Sequence, residues 1–324
     1  MRADFRTGFI IYREGNKEPY YVTLHSGPAL ERPMSRDGNS ETVASLSWLK
    51  TGGTLIVSTI PRKRAYGIDF NRDIPPKKEA IEIYADFVKD VNQKRLYEFR
   101  KKYAFAARDP EDYAQRLFIY KSFWNEVKKG FYISLVHTAY SRIKILPSIM
   151  DITVLSTKYG LKKHIIDIVE EVNSHYANFF KKVEKSYKRV VYLEEERAIN
   201  NILRVYRTIG LDKIQMEFLE NMKKDLEGLK RYCEESEIDI LRENFTTANF
   251  LSLTKKALQR CEPPRVTVEH FFKGSKSIGP RKQLFPSDRI VLNFEPTTFL
   301  TFWHPHKGSE IMAEIITKIL ERLI

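Results

Sequence analysis

The chain has few cysteines and no long hydrophobic run, and each absence excludes a class of protein. Its 324 residues include only Cys233 and Cys261, without Cys-x-x-Cys spacing. This excludes a zinc knuckle and a disulfide framework. No run of about 18 apolar residues occurs, so we expect no membrane helix. The apolar stretch near the N-terminus is too short for a signal peptide, and we expect an unprocessed, cytoplasmic protein.

The sequence also lacks a helix-turn-helix, a finger or an aromatic RNA-binding pattern, although it is basic. Its net charge is +13, from 55 Lys+Arg and 42 Asp+Glu. Residues 157–262 contain 20 Lys+Arg and 18 Asp+Glu, so most of the excess lies outside this segment. An anionic ligand is one explanation and a merely basic surface is another. The stretches "PRKRAYG" and "KGSKSIGPRK" keep nucleic-acid binding open as an alternative.

What the sequence does contain over residues 1–156 is an alternation of strand-like and helix-like runs. The strand-like runs are "GFIIY", "YYVTL", "TLIVSTI" and "FYISLVH". Between them, "ETVASLSWLKTGG", a long run from Lys77 and "PEDYAQRLFIYKSFWNEVKKG" have helical spacing. Such alternation predicts an α/β sheet with helices on its faces.

Residues 157–262 are different, because apolar residues recur there at three- and four-residue steps. This predicts long, coiled-coil-like helices, with a hairpin turn near "TIGLD". After 263, "RVTVEHFF" and "RIVLNFE" are strand-like and "SEIMAEIITKILERLI" is helical. We therefore expect a three-layer αβα domain with a mostly parallel or mixed sheet, formed by residues 1–156 and 263–324. A helical insertion, 157–262, interrupts it.

Polar side chains directly follow three of the strand-like runs. His25 ends "VTLH", His137 ends "FYISLVH" and Glu295 follows "RIVLNF". If these strands are parallel neighbours, their carboxyl ends lie ~5 Å apart per step and can share one site. Two imidazoles and a carboxylate, for which Asp37 and Glu41 are both available, make a zinc site with one open position. Glu295 can then take the proton of zinc-activated water.

The stretch "YGIDFNRD" adds a candidate substrate contact. Asn71 and Arg72 follow a strand-like run, and an arginine fork beside an amide suits a substrate carboxylate. The alternative is an ion pair between Arg72 and Asp69 or Asp73. Further along, "WHPH" at 303–306 contains two more histidines, which are candidates for the rim of a pocket.

Taken in order, "HSG", "SET", "GGT", "YGIDFNRD", "SLVHT" and "VLNFE" resemble the N-formylglutamate amidohydrolase family. Its members have His-Ser-Gly after an early strand, an acidic ligand, an Asp-Leu-Asn-Arg-like motif, a second strand-terminal histidine and a late glutamate. They are zinc amidohydrolases related in fold and metal site to zinc carboxypeptidases. The resemblance spans residues 19–142 and 264–300 and does not cover the helical segment, which is foreign to the usual enzyme.

The resemblance implies a role for each matching residue of the metal centre. His25 and His137 would bind Zn²⁺, and Glu41 would be the acidic ligand, with Asp37 as second choice. Glu295 would be the general base.

The resemblance also implies that Asn71 and Arg72 hold a substrate carboxylate. In the late basic loop, Arg281 or Lys276 is a further candidate for holding an anionic substrate, although no motif fixes its position.

We therefore expect a zinc-dependent hydrolase that cleaves an amide bond in a small acidic or N-acylated amino acid or peptide. Its expected partners are a small anionic substrate and no membrane. The alternative is a nucleic-acid-binding or partner-docking protein built on an inactive hydrolase-like core. The helical segment offers a surface for a protein partner or a second copy of the chain.

Overall fold

The computed structural model of the chain describes residues 1–28, 37–209, 216–277, 279–284 and 288–323. It is a mixed α/β fold with an eight-stranded sheet in the order β1-β2-β4-β3-β5-β8-β6-β7. The strands are β1 (Arg2–Arg6), β2 (Phe9–Glu14), β3 (Tyr20–Thr23), β4 (Gly53–Ser58), β5 (Tyr132–Val136), β6 (Ser148–Val154), β7 (Arg265–Val268) and β8 (Ile290–Pro296).

Four neighbouring strands in the middle of the sheet, β4, β3, β5 and β8, run parallel. Antiparallel strands flank them, since β2 pairs with β4, β1 with β2, and β6 with β8. The last strand, β7, is parallel to β6. All six strand-like runs named above for β2 to β5, β7 and β8 are strands, and the sheet is mixed as expected.

The strands differ in three places from those expected from the sequence. It adds β1 and β6, and β6 is hidden in the sequence because its buried run contains Asp151. Backbone N–H groups of residues 270–272 donate to the Asp151 carboxylate and satisfy it. The run "YGIDF" forms turns instead of a strand. There Gly67 lies so close to the Pro61 carbonyl that an added Cβ would be 1.8 Å from its oxygen.

Alternating side chains of the strands enter two different hydrophobic clusters, which gives the fold three layers. On one face Tyr21 and Leu292 pack with the helices α1 (Ser40–Thr51), α6 (Leu161–His175) and α12 (Pro305–Leu323). On the other face, Val22 and Val291 pack with α5 (Pro110–Val127). A small third cluster lies among the short helices α2 (Lys77–Glu82), α3 (Tyr84–Lys89) and α4 (Gln93–Lys102).

The helical segment connects two adjacent parallel strands, β6 and β7, and is thus an enlarged crossover. After α6 it contains α7 (Ala177–Ile209), α8 (Met216–Leu229), α9 (Glu235–Glu243) and α10 (Thr247–Arg260). Its buried residues, such as Ile165 and Phe250, belong to the same hydrophobic cluster as Tyr21 of the sheet. The expected turn near "TIGLD" falls mostly within 210–215, outside the described residues. One short helix, α11 (Gly279–Leu284), precedes β8.

None of the helices in the described ranges is long and apolar enough to cross a membrane.

Candidate metal centre

The carboxyl edge of the parallel strands brings three candidate residues to one place. His25 comes two residues after β3, His137 directly follows β5, and Glu295 lies near the end of β8. The connection out of β3 leads to β4 on one side, and β5 lies on the other side. The edge at β3 is therefore a topological switch point, where open α/β sheets bind their ligands.

His25, Asp37 and His137 form a buried group, here called the His25 cluster. The Nδ1 atoms of both histidines contact the same oxygen, Oδ2 of Asp37, at 3.1 Å for His25 and 2.7 Å for His137. The two imidazole centroids are 5.1 Å apart. In the part of the chain that the structure describes, no other three His, Cys, Asp or Glu side chains are grouped in this way.

The donor set and its spacing fit a zinc ion. Tetrahedral zinc with bonds of about 2.0–2.1 Å keeps its ligand atoms about 3.3 Å apart. The three potential ligand atoms of the His25 cluster lie within 4.8 Å of one another. Two nitrogens and one carboxylate oxygen leave a fourth position open, and zinc would take the place of the protons that the histidines share with Asp37.

The carboxylate grouped with the two histidines is that of Asp37, the second choice from the sequence, and not that of Glu41. The backbone N–H of Asp37 donates to the carbonyl of His25 at 3.1 Å, so the residue before α1 is tied to the end of β3. The carbonyl of the next residue, Gly38, accepts from Thr138 Oγ1 at 2.9 Å. Glu41 lies further along, in the first turn of α1.

His25 is also held through its second ring nitrogen. Nε2 of His25 contacts Oδ1 of Asp69 at 2.8 Å. Asp69 is fully buried and forms salt bridges with Arg62 at 3.0 Å and Arg64 at 2.7 Å. A carboxylate behind a histidine fixes the ring orientation and tautomer of a metal ligand. From the sequence, Asp69 was expected only as a partner of Arg72; the signal for its role is the pair of arginines in "PRKRAYGID".

The two buried carboxylates stay ionised. Burial by itself raises the pKa of Asp37, but the adjacent His25 and His137 outweigh it and hold that pKa well below its usual range. The pKa of Asp69 is likewise lowered, because Arg64 and its neighbouring arginine outweigh the effect of burial. Ionised carboxylates are the form that a cation requires.

The pKa of Glu295 is raised, in contrast to those of Asp37 and Asp69. Its Oε1 accepts from Asn293 Nδ2 at 3.0 Å. Burial raises the pKa of Glu295 to about 7, although the nearby His137 opposes the shift. Burial also lowers the pKa of His137, but Glu295 and Asp37 outweigh it, so the net shift is upward. A carboxyl group with a pKa near neutrality is suited to accept a proton and return it.

Asn71 and Arg72 make contacts other than those expected for a substrate-binding pair. The backbone N–H of Asn71 donates to Asp69 Oδ1 at 2.9 Å, so this turn caps the carboxylate behind His25. The Arg72 guanidinium donates to two backbone carbonyls, of Arg100 at 3.2 Å and of Asn71 at 2.8 Å. The arginine that faces the cluster is Arg62, whose Nη1 lies 3.8 Å from Asp37 Oδ1.

Arg281 lies on α11, which packs against the same turn. An added Cβ on Gly279 would be 2.7 Å from the backbone nitrogen of Arg72. Lys282 of α11 pairs with Asp73. The late basic loop thus lies beside the Asn71 turn, as a shared substrate pocket requires, but no described contact joins Arg281 or Lys276 to the His25 cluster.

The two late histidines lie outside the cluster. The His304 ring packs against Phe299 and Phe179, with centroids 4.9 and 5.7 Å apart, and burial lowers its pKa. His306 belongs to the first turn of α12. Neither residue is part of a metal-type group among the described residues.

A second buried charge cluster fixes the loop that follows β5, and it uses the helical segment. Arg142 lies 2.8 Å from Glu195 of α7 and also pairs with Asp225 of α8. Glu195 accepts from the backbone N–H of Ile143 at 2.6 Å. We call Arg142, Glu195 and Asp225 the Arg142 cluster.

Next to the Arg142 cluster, Glu194 of α7 joins the loops after β5 and β8. Thr298 Oγ1 donates to Glu194 at 2.5 Å, and Ser141 and Thr298 share a hydrogen bond of 2.9 Å. Burial raises the pKa of Glu194 to about 7. The helical segment therefore contacts the loops that follow His137 and Glu295.

Comparison with known proteins adds no assignment. No family model and no curated protein matches the chain. Among solved structures, the crystal structure of gene product Atu2144 from Agrobacterium tumefaciens is similar with a TM-score of 0.46 and 9% identity, over 98% of this chain and 95% of that one. A likeness of this degree assigns no function.

Proposed function

We propose that this chain is a zinc-dependent hydrolase that cleaves an amide bond in a small acidic or N-acylated amino acid. One observation carries the proposal: the Nδ1 atoms of His25 and His137 converge on one oxygen of Asp37, at a switch-point edge of the sheet. The motif resemblance to N-formylglutamate amidohydrolases supports the same chemistry. Zinc, when bound, polarises a substrate carbonyl and makes water more acidic.

Glu295 serves as the base in this proposal. It is buried, lies beside His137 and has a pKa raised to about 7. It takes a proton from the attacking water and gives it to the nitrogen of the leaving amine. Asn293, which donates to Oε1, holds the carboxylate in position.

Arg62 takes the substrate-binding role that the sequence assigned to Arg72. Its side chain is 25% exposed, its Nε is held by Asp69, and its Nη1 lies 3.8 Å from Asp37 Oδ1. A fixed, partly exposed guanidinium is suited to bind a substrate carboxylate or the developing oxyanion. Asp69 acts as a positioning residue for both His25 and Arg62.

The nucleic-acid alternative has less support. Two of the three cations in "PRKR", Arg62 and Arg64, are directed inward to Asp69. Arg64 is buried and Arg62 lies beside the His25 cluster, so these two side chains do not form a basic surface stripe for a phosphate backbone.

The test combines metal analysis with turnover. We expect about one zinc per chain in protein purified without chelator, and hydrolysis of at least one member of an N-acyl amino-acid panel. Glu295→Gln should keep the zinc and lose at least ~100-fold in kcat, since general base catalysis contributes ~10²–10⁴-fold. Glu194→Gln is the matched control and should leave turnover unchanged, because it removes another glutamate whose pKa is raised to about 7 but which lies outside the cluster.

Two outcomes would overturn the proposal. One is a parent protein that neither binds zinc nor hydrolyses any amide of the panel. The other is salt-dependent binding of RNA or DNA that His25→Ala leaves unchanged, which would favour the nucleic-acid alternative.

A further inference from the structure

Two aromatic side chains next to the His25 cluster remain partly exposed. Phe302 is 56% exposed and Tyr140 is 38% exposed. Phe302 lies in the turn Phe299–Trp303, which follows β8, and Tyr140 lies three residues after His137. Both therefore belong to loops that begin at the carboxyl edge of the sheet.

Phe302 lies directly on the backbone beside Asp37. A Cβ added to Gly38 would be 2.6 Å from Cζ of the Phe302 ring. The Asn39 side chain donates to the Thr301 carbonyl at 3.2 Å and fixes the turn there. The Phe302 ring is thus one residue away from a ligand of the candidate metal centre.

Tyr140 approaches the same place from the loop after β5. Thr138 in this loop donates to the carbonyl of Gly38. Burial raises the pKa of Tyr140, and the carboxylates of Glu194 and Asp37 add to the shift. Ala139, next to Tyr140, also bridges to Thr297, and its carbonyl accepts from the N–H of Thr298 at 2.8 Å, so the loop of Tyr140 is joined to the loop of Phe302.

A cation, Arg62, also borders the cluster. Nε of Arg62 contacts Asp69 Oδ2 at 3.0 Å, and Nη1 lies 3.8 Å from Asp37 Oδ1. A substrate bound at the cluster would thus lie within reach of both a guanidinium and the Phe302 ring. Partly exposed aromatic rings beside a polar centre gain free energy when a ligand covers their apolar surface.

We propose that Tyr140 and Phe302 bind the acyl part of the substrate, so that the site takes N-acyl amino acids with an aromatic or medium-chain aliphatic acyl group in preference to N-formyl amino acids. This rests on the proposed function for the bond that is cleaved. The carboxylate of the amino acid contacts Arg62, and the acyl group covers the Phe302 ring.

The test compares acyl groups on one amino acid. N-formyl-, N-acetyl-, N-hexanoyl- and N-benzoyl-glutamate are given to the zinc-loaded protein, and kcat/KM is measured. We expect the benzoyl and hexanoyl compounds to exceed the formyl compound by at least ~10-fold, the scale of a hydrophobic specificity contact. Phe302→Ala should remove most of this preference, because it should lower kcat/KM for the benzoyl and hexanoyl compounds more than kcat/KM for N-formylglutamate.

Two further variants test whether the contact of Phe302 with the acyl group, and not a general loss of activity, sets the preference. Phe302→Leu should keep the hexanoyl rate and lower the benzoyl rate. Phe118→Ala, which truncates a side chain that is 69% exposed on α5, should change no ratio. Equal kcat/KM for all four acyl groups in the parent, or an equal loss for all four in Phe302→Ala, would overturn the inference.

A binding measurement distinguishes failure of this inference from failure of the proposed function. Calorimetry on zinc-loaded Glu295→Gln compares N-benzoyl- with N-formylglutamate. Tighter binding of the benzoyl compound that depends on Phe302, in a chain that hydrolyses no amide, would refute the hydrolase and keep the aromatic contact. Equal binding of both compounds, in a chain that does hydrolyse amides, would refute the contact and keep the hydrolase.

Discussion

The His25 cluster and the Arg142 cluster are both buried groups of charged side chains near the carboxyl edge of the sheet, but their atoms are arranged differently. In the His25 cluster two histidine nitrogens are directed at one carboxylate oxygen. In the Arg142 cluster one guanidinium lies between two carboxylates and pairs with both. The first arrangement places ligand atoms around a common point, whereas the second satisfies a cation.

This difference separates a candidate site from a structural connection. Donors that share one point can be taken over by an ion, since zinc replaces the shared protons. A buried arginine between two acids contributes by avoiding the cost of unpaired charge. The Arg142 cluster thus holds the helical segment to the sheet. The His25 cluster is the candidate metal site.

Asp37→Asn should lower zinc affinity by more than ~100-fold, because it removes a direct ligand and even indirect partners contribute 10–100-fold. Competition with a chromogenic chelator measures this. Glu41→Gln is the control and should leave the affinity unchanged. The reverse result, with loss only in Glu41→Gln, would return the role of acidic ligand to Glu41.

Arg142→Met should lower the free energy of unfolding by about 3–5 kcal/mol, because Glu195 and Asp225 lose their shared cation in a buried place. Urea denaturation measures this. Arg242→Met breaks exposed ion pairs with Glu235 and Asp239 and should cost less than about 1 kcal/mol. Equal effects of the two substitutions would contradict a structural role for the Arg142 cluster.

Asp69→Asn should weaken zinc binding by about 10–100-fold without abolishing it, since the carboxylate only orients His25. The titration used for Asp37→Asn gives the ratio. Asp73→Asn, four residues along the same turn region, is the matched control, because Asp73 pairs with Lys282 and not with a histidine. An unchanged affinity in Asp69→Asn would show that His25 needs no carboxylate behind it.

Glu194 should make stability depend on pH. Its pKa is raised from 4.5 to about 7 by burial, so the folded chain keeps a proton that the unfolded chain loses in this window. Stability should therefore fall as pH rises from 5 to 7, by roughly 1–2 kcal/mol more in the parent than in Glu194→Gln. Urea denaturation of the parent and of Glu194→Gln at pH 5 and pH 7 measures this difference. The same loss of unfolding free energy in both proteins would contradict the prediction.

The strand ends were the most predictable part of the site. His25, His137 and Glu295 each follow an apolar run, and the structure places these runs on the adjacent parallel strands β3, β5 and β8. The pattern works because a buried parallel strand is a nearly continuous apolar run, so a polar residue at its end marks the edge. Loop residues were less predictable, since Asp37 and Glu41 are both acidic and both close to α1.

The arginines show where sequence spacing is insufficient. Arg62 and Arg72 both flank "AYGIDFN", and the sequence favoured Arg72 because it follows the run directly. The segment is a series of turns, and turns direct each side chain through local backbone contacts that carry no period. Only the fold shows that Arg62 reaches Asp69 and Asp37, while Arg72 is bonded to backbone carbonyls.

The sequence by itself determined the fold class and the residues that end the central strands, because burial of apolar strands and helix faces leaves a periodic signal along the chain. The tertiary structure decided the acidic member of the cluster, the carboxylate behind His25 and the contact of the helical segment with the loops that carry the site. These depend on segments 12 to 100 residues apart coming within hydrogen-bond distance. No local pattern encodes such contacts, since their free energy arises only when the sheet has assembled.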